Sequence, residues 1–326
     1  MCRFGGYLSA LFFYVLATTN IVHAGPAPST ADQMSNWAPW GNCDPGKNSI
    51  NVELRRDFFS FDTVACPTPG SLSQDQGAQV SATFDELAKQ TSASLDGVVA
   101  LLIRHYFSGG LGLPGDTSPT GLAFGPFVQF DGTNYFESAT SPSKTTETVT
   151  AGGVAQIGFN NVFGLGEDNF RLRAGEIDAP SAAIVSNTVV AEWIPYYAFS
   201  RDQFQLSPIV FRVIPEVILQ YDRLVSGPNK YVLFADNNYA LRIGPEVQLR
   251  IWVAHSSDPI LSKMLFTVTY HASNETYTGR EFSWVQAGLT YNLTDHFGLS
   301  ASYGYGNSEI TANNTSQIKL GLSGKL

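Results

Sequence analysis

The sequence predicts an all-β chain, a transmembrane antiparallel up-and-down β-barrel of about 12 strands, within a range of roughly 10–14. Charged residues make up only 14% of the 326 residues, aromatic residues make up 13%, and glycines number 30, a composition typical of strands with two differently solvated faces. Apolar and polar side chains alternate in segments of about ten residues over most of the chain beyond residue 77. After the N-terminus no apolar run reaches the roughly 18 residues of a spanning helix, so a closed barrel is the membrane structure expected.

Residues 1–24 are typical of a secretory signal peptide. Arg3 precedes an apolar run over 7–22, and the letters VHA at its end fit a small-residue cleavage pattern. The run is shorter than the roughly 20 residues that a spanning helix needs, which makes a membrane anchor the weaker alternative. We therefore expect export of the mature chain.

Residues 25–77 are rich in Pro, Ser, Asn and Asp and are predicted to form a mostly irregular N-terminal extension in the periplasm. Cys43 and Cys66 are the cysteines left after cleavage, and an even pair in an exported chain predicts a disulfide between them. The sequence has no CxxC motif, no Cys/His cluster with zinc spacing, no P-loop and no HExxH, so neither a metal nor a cofactor is predicted.

The barrel itself is predicted over 78–326. Its clearest strand lies within 238–254, where apolar residues occupy alternate positions and charged residues lie between them. This alternation is longer than a typical globular strand of about 5–6 residues, which makes a soluble periplasmic β-sandwich a weaker alternative. The predicted strands are 78–88, 94–106, 121–132, 147–160, 169–177, 187–199, 209–223, 239–254, 264–273, 282–292, 297–306 and 315–326.

The last predicted strand alternates apolar and polar residues up to Leu326. Together with the signal peptide and the alternating segments, it resembles the Gram-negative outer-membrane β-barrel (porin-like) proteins over 78–326. The resemblance implies location in the cell outer membrane, contact with outer-membrane lipid and lipopolysaccharide, and recognition of the C-terminal strand by the barrel-assembly machinery. Leu326 departs from the Phe or Trp that usually ends such chains, which puts assembly efficiency in doubt more than the class.

Charged residues in the predicted strands fall opposite the apolar face and are expected to line the lumen, where they are the candidates for selectivity. They are Arg104, Arg171, Arg173, Glu192, Arg212, Glu216, Arg242, Glu246 and Arg250. The favoured function is a narrow channel for small polar solutes or ions, and the alternative is a structural or adhesive barrel plugged by 25–77. A net charge of −9 without a Lys/Arg cluster argues against a nucleic-acid partner.

A weak internal repeat, RVIPEVIL at 212–219 and RIGPEVQL at 242–249, makes a geometric prediction. One antiparallel register would place Arg212 opposite Glu246 and also Arg242 opposite Glu216, which are favourable cross-strand pairs.

Four prolines fall in the middle of predicted strands, where a proline removes a ladder hydrogen bond. We expect these prolines to mark β-bulges that bend the wall. They are Pro126, Pro195, Pro215 and Pro245.

The only catalytic candidates are His271 and Ser273, in the letters HASN. In a strand both side chains point to one face, within possible hydrogen-bond reach. The letters are similar to the His/Ser motif of the lipid A 3-O-deacylase barrels, which implies a lipid-modifying hydrolase as an alternative function. A carboxylate expected about a dozen residues later is missing, and the nearest substitutes are Glu275 and Glu281.

Overall fold

The computed structural model of the protein describes the chain in segments. They are 48–58, 77–87, 90–107, 119–136, 144–160, 162–163, 166–180, 183–197, 204–206, 209–227, 238–253, 260–294, 296–307 and 314–324. The predicted signal peptide and the two cysteines of the predicted disulfide, Cys43 and Cys66, lie outside these segments.

The described chain is almost entirely β-strand, with one 3₁₀ turn at Leu261–Lys263. Among the described residues, no helix has the length and apolar character needed to cross a membrane. The strands are β1 Asn48–Arg55, β2 Ala78–Asp85, β3 Gln90–Tyr106, β4 Pro119–Tyr135, β5 Lys144–Asn160, β6 Gly166–Ala179, β7 Ile184–Tyr197, β8 Phe204–Leu206, β9 Ile209–Ser226, β10 Tyr239–Val253, β11 Met264–Glu275, β12 Glu281–Asn292, β13 Phe297–Asn307 and β14 Asn314–Gly324.

Twelve of these strands form a closed antiparallel barrel, and each predicted segment overlaps one of them. β2 to β7 pair in chain order, β7 pairs with β9, and β9 to β14 again pair in chain order. β14 then pairs with β2, with Gly324 opposite Ala78, and this pairing closes the wall. Closure gives every wall strand two neighbours, which satisfies the backbone without an open edge. The predicted fold class is confirmed.

The two faces of the wall differ as the alternation predicts. In β10 the outward Ile243 is 47% exposed, whereas its neighbour Arg242 points inward and is 5% exposed. Exposed apolar side chains recur on the outer face of other strands: Leu101, Val128, Leu172, Val189, Leu219, Phe266, Leu289, Leu299 and Leu320. The barrel is therefore apolar outside and mainly polar inside, the reverse of a soluble domain.

The N-terminal extension contains a strand that the sequence analysis missed. β1 pairs antiparallel with β3, with Arg55 opposite Val98. The short β2 pairs with β3 only as far as Gln79 opposite Asp96. Because β4 pairs with the other edge of β3 alongside both, β1 and β2 must lie on the same edge, end to end. The alternation of Ile, Val and Leu with polar residues in NSINVELR was the available signal.

The four strand prolines do not mark bulges, and that prediction is wrong. Their pairings continue without a register shift on both sides of Pro126 in β4, Pro195 in β6–β7, and Pro215 and Pro245 in β9–β10. The register shifts of these sheets lie elsewhere, at Pro119–Gly121 and Val185–Ser186.

Glycine explains how two of the prolines fit. Gly125 and Gly244 each stand directly before a strand proline. A Cβ on Gly125 would lie 1.8 Å from the carbonyl oxygen of Leu101, and a Cβ on Gly244 would lie 1.8 Å from that of Ala272. The neighbouring backbone has thus moved in against the glycine, which absorbs the local distortion without an extra residue.

Candidate functional site

The lumen is the candidate site, because every charged residue predicted to line it points inward. Seven of the nine are buried on the inner face, and the other two, Arg173 and Glu246, are partly exposed there, with side-chain exposures of 17% and 19%. The strand alternation places them there, since all but Arg104, which precedes His105, have an apolar or small neighbour on both sides. Their roles in selectivity stay predictions.

The first lumen cluster joins β6, β7 and β9. Glu192 on β7 lies opposite Arg171 on β6 and accepts hydrogen bonds from both Arg171 and Arg173. Arg171 also reaches past β7, where its Nη2 donates to the Glu216 carboxylate of β9 at 3.0 Å. Buried charges need such partners, because desolvation of an isolated ion costs several kcal/mol.

Phe58, just beyond β1, occupies the lumen beside this cluster. Its ring is 5% exposed and forms an edge-to-face contact with Phe127, with ring centroids 4.7 Å apart. The Arg173 guanidinium lies 4.2 Å from the ring centroid, and Arg171 donates a 2.8 Å hydrogen bond to the Phe58 carbonyl oxygen. Two cations and an aromatic wall therefore hold one aromatic residue of the extension.

The walls around Phe58 are apolar although they face the lumen. The cluster that surrounds the ring comprises Val98, Ala100, Leu102, Phe127 and Val154, from β3, β4 and β5. The signal was present in the sequence, because 98–103 reads VVALLI and is apolar on both faces. A strand that is apolar on both faces is covered on both faces, which excludes an open watery lumen beside β3.

β1 also contributes charges to the lumen. Glu53 and Arg55 point inward and are buried, and Glu53 accepts an ion pair from Arg104 of β3. Arg55 lies 3.8 Å from the same carboxylate. Arg104, which is predicted to line the lumen, is thus paired with a residue of the N-terminal extension. The sequence did not predict this partner.

The β9–β10 register differs from the predicted one. Glu246 lies opposite Glu216 rather than Arg212, Arg250 lies opposite Arg212, and Arg242 lies opposite Gln220. The predicted Arg–Glu ladder is therefore wrong, and like charges face each other.

Partners other than the directly opposed residues explain why this register is tolerated. Glu216 is bonded by Arg171 from β6, and Glu246 contacts His271 on β11. Arg242 forms its ion pair diagonally with Asp222 of β9. One cross-strand charge pair is worth about 0.2–1 kcal/mol, whereas the stagger of a closed barrel constrains all its strands at once.

His271 and Ser273 both face the lumen near one end of β11. The His271 Nδ1 lies 3.1 Å from the Glu246 Oε2, and Ser273 is buried on the same face two residues along. The carboxylate partner is thus Glu246 from the adjacent strand, not Glu275 or Glu281 as expected. Glu275 instead accepts hydrogen bonds from the backbone of its own turn, residues 276–278.

One part of the lumen face of β11 to β14 differs from these charged clusters, because it carries small and hydroxyl-bearing residues. Its members Thr267, Gly288, Thr290, Ser300, Ser302 and Ser323 line a narrow cleft with Arg56 and Gln79. Arg56 bonds to the neighbouring Asp57 at 3.0 Å. Within the described residues, no group of three or more His, Cys, Asp and Glu side chains could hold a metal ion.

No family model matches the chain, and no curated protein matches it. Among solved structures, it is similar to the beta domain of the Bordetella autotransporter Brka, with a TM-score of 0.42 and 12% identity over 87% of this chain and 100% of that one. Outer membrane phospholipase A from Escherichia coli gives 0.38 and 12% identity over 76% and 95% of the two chains. An outer membrane channel from Pseudomonas putida gives 0.39 and 10% identity over 89% and 98%. These sequence identities and TM-scores are too low for the similarity to indicate an activity of this chain.

Proposed function

We propose that this chain is an outer-membrane β-barrel of a Gram-negative bacterium that passes small ions or polar solutes passively through a narrow lumen. The observation that carries the proposal is the closed twelve-strand wall, apolar outside and lined inside by charges and hydroxyls. An outer face of this kind needs lipid around it, and a polar inner face needs water or fixed partners. Barrels of about 8 strands fill their interior with side chains and those of about 16 leave a wide channel, so twelve strands suit a narrow one.

The proposed path follows the hydroxyl-lined cleft of β11 to β14. Elsewhere the cross-section is occupied by Phe58 with its apolar walls and by the Arg171–Glu192–Arg173 cluster. Small hydroxyl side chains such as Ser300 and Ser302 offer hydrogen bonds to a passing ion or polar solute.

The proposed partners of the barrel are those that suit its surfaces. Outer-membrane lipid and lipopolysaccharide cover the apolar belt, and the barrel-assembly machinery recognises β14, the strand whose pairing with β2 closes the wall. The signal peptide directs export, and an oxidising periplasm permits the predicted Cys43–Cys66 disulfide.

Single-channel recording from the folded protein in a planar bilayer tests this proposal. We expect small discrete steps in the wild-type protein, and smaller, more anion-selective steps in Ser302→Arg, because the added cation narrows the cleft. Leu299→Ile is the matched control, since Leu299 lies on the outward face of the same strand and is 46% exposed. Equal steps in the wild-type protein and Ser302→Arg would contradict the path. If neither the inserted wild-type protein nor the inserted Phe58→Ala variant conducts, the proposal of passive solute passage is contradicted.

The His271–Glu246 contact favours one second function, ester hydrolysis at the lumen mouth. With its Nδ1 held by Glu246, His271 would present Nε2 toward Ser273, the arrangement of a serine hydrolase. His271 would take the Ser273 hydroxyl proton as that oxygen attacks an acyl ester, and would return the proton to the departing alcohol. Water, giving a proton to the same His271, would then attack the acyl-Ser273 ester and release the fatty acid, and the proton would return to the Ser273 oxygen.

Hydrolysis of ester-linked acyl chains in mixed detergent–lipid micelles distinguishes the two functions. For a hydrolase, Ser273→Ala should lower turnover by about 10³-fold or more, whereas Ser302→Ala, another lumen hydroxyl, should leave turnover unchanged. Turnover that is absent from the wild-type protein, or equal in Ser273→Ala, would exclude the hydrolase.

A further inference from the structure

β1 and β2 are two halves of one wall strand. Along β3, Arg55 of β1 lies opposite Val98 and Gln79 of β2 lies opposite Asp96. Gly97 is the single β3 residue between Val98 and Asp96. Ala78, which precedes Gln79 in β2, lies opposite Gly97. The register of β1 therefore continues into β2 as though residues 56–77 were absent.

The inward and outward alternation also continues across the junction. Arg55 ends β1 with a buried, inward side chain, and Gln79 is the first buried, inward side chain of β2. Ala78 lies between them, so a direct Arg55–Ala78 bond would keep every side chain on its present face. Because a slip of one residue would reverse all faces, this agreement is a strong constraint on the geometry.

The chain leaves the wall at this junction and turns into the lumen. Three residues after β1 ends, Phe58 is buried among inward residues of β3, β4 and β5 and is held by Arg171 and Arg173. The contact spans the interior from the β3–β5 side to the β6 side, where the charged cluster begins.

We propose that residues 56–77 are an insertion into a single wall strand and that the Phe58 contact is autoinhibitory, closing this part of the lumen. The proposal rests on the proposed channel function and deepens it. Displacement of Phe58 exposes Arg171, Arg173 and an apolar recess to the lumen, and so widens the path beyond the hydroxyl-lined cleft. The wall remains closed throughout, because β1 and β2 keep their pairing with β3.

An in-register deletion tests the strand junction. The variant lacks 56–77 and joins Arg55 to Ala78, and the control lacks 56–76, retains Gly77 and is therefore out of register by one residue. Both carry Cys43→Ser, as does their full-length reference, because the deletions remove Cys66. Folding in detergent is followed by the heat-dependent gel mobility shift that barrels show. We expect the in-register variant to fold as fully as the reference and the control to fold severalfold less. Equal failure of both deletions would overturn the single-strand assignment.

Conductance tests the autoinhibition, and Phe58→Ala in the full chain makes the test independent of the deletion. We expect a severalfold larger step, or longer open time, in Phe58→Ala and in the in-register deletion than in their references. Conducting references with unchanged variants would overturn the autoinhibition and leave the channel function standing. Four proteins are compared: the wild-type protein, Phe58→Ala, the full-length Cys43→Ser reference and the in-register deletion. If all four insert into the bilayer and none conducts, the channel function is overturned, and the autoinhibition with it.

Discussion

Arg171 illustrates how the lumen is held together at the scale of single residues. Its guanidinium donates to Glu192, to Glu216 and to the Phe58 carbonyl oxygen, so one side chain links β6, β7, β9 and the extension. A planar fork of five N–H donors suits Arg to this position, and the compact ammonium of a Lys would not reproduce the spread of these donors toward three separate acceptors. The cluster therefore behaves as a unit, in which the loss of one carboxylate leaves two cations without their shared partner.

Glu192→Gln should lower the free energy of unfolding by about 3–5 kcal/mol, because it breaks buried ion pairs with Arg171 and Arg173. Urea unfolding of the protein in lipid vesicles measures the change. Asp57→Asn is the matched control, since that carboxylate is 35% exposed in its pair with Arg56 and should cost at most about 1 kcal/mol. Equal losses in the two variants would contradict the burial argument.

At the scale of elements, the strands tolerate prolines through glycine. β4 and β10 carry Gly-Pro at matching positions of their alternation, and both keep their register past the proline. The close carbonyl contacts at Gly125 and Gly244 occupy the space of a Cβ. On the opposite edge of each strand the ladder omits the pairs at Gly125–Pro126 and at Gly244–Pro245 and then resumes in the same register. The Gly-Pro pair therefore interrupts one ladder locally without shifting the strand.

Gly125→Ala should be destabilising by about 1–3 kcal/mol, because its Cβ would lie 1.8 Å from the backbone oxygen of Leu101. Gly153→Ala, in the adjacent β5, is the control: the nearest atom to its Cβ is 4.0 Å away, so the variant should be neutral or stabilised by up to about 1 kcal/mol. The same vesicle unfolding experiment measures both. A Gly125→Ala variant as stable as Gly153→Ala would refute the close-approach account.

At the scale of the whole molecule, the wall depends on a strand from the extension. β2 covers the edge of β3 only over Gln90–Asp96, and β1 covers it over Val98–His105. Backbone groups of β3 that lost this cover would face lipid, where each unsatisfied group costs several kcal/mol. The extension is thus part of the barrel rather than an appendage to it.

Two N-terminal deletions that keep residues 1–24, the predicted signal peptide, should therefore differ sharply. Removal of 25–47 leaves β1 intact and should preserve the folded fraction, whereas removal of 25–57 strips β1 from β3 and should reduce it severalfold. The heat-dependent mobility shift measures the folded fraction of each. Removal of 25–57 also removes the lumen side chains of Glu53 and Arg55, so the comparison tests β1 as a whole, with both its backbone pairing and its lumen contacts. Similar folded fractions would show that β1 is dispensable.

Local alternation alone predicted all that depends on a period of two. It located the twelve wall strands, separated the apolar outer face from the inner one, and placed residues such as Arg171 and Glu216 in the lumen. These properties are determined by the sequence itself, because neighbouring side chains in a strand must point to opposite faces whatever lies beside them. The strand at 48–55 has the same alternation. It was missed because it lies within 25–77, a segment rich in Pro, Ser, Asn and Asp.

The tertiary structure decided which residues meet. Glu246 lies opposite Glu216, not Arg212, and its contact is with His271, because the register follows the stagger of a closed wall rather than one charge pair. Glu53 on β1 contacts Arg104 only because β1 pairs with the same edge of β3 as β2 does. Phe58 enters the lumen because the chain leaves the wall directly after β1. Such contacts join distant parts of the chain, and closure of the barrel is the physical constraint that selects among them.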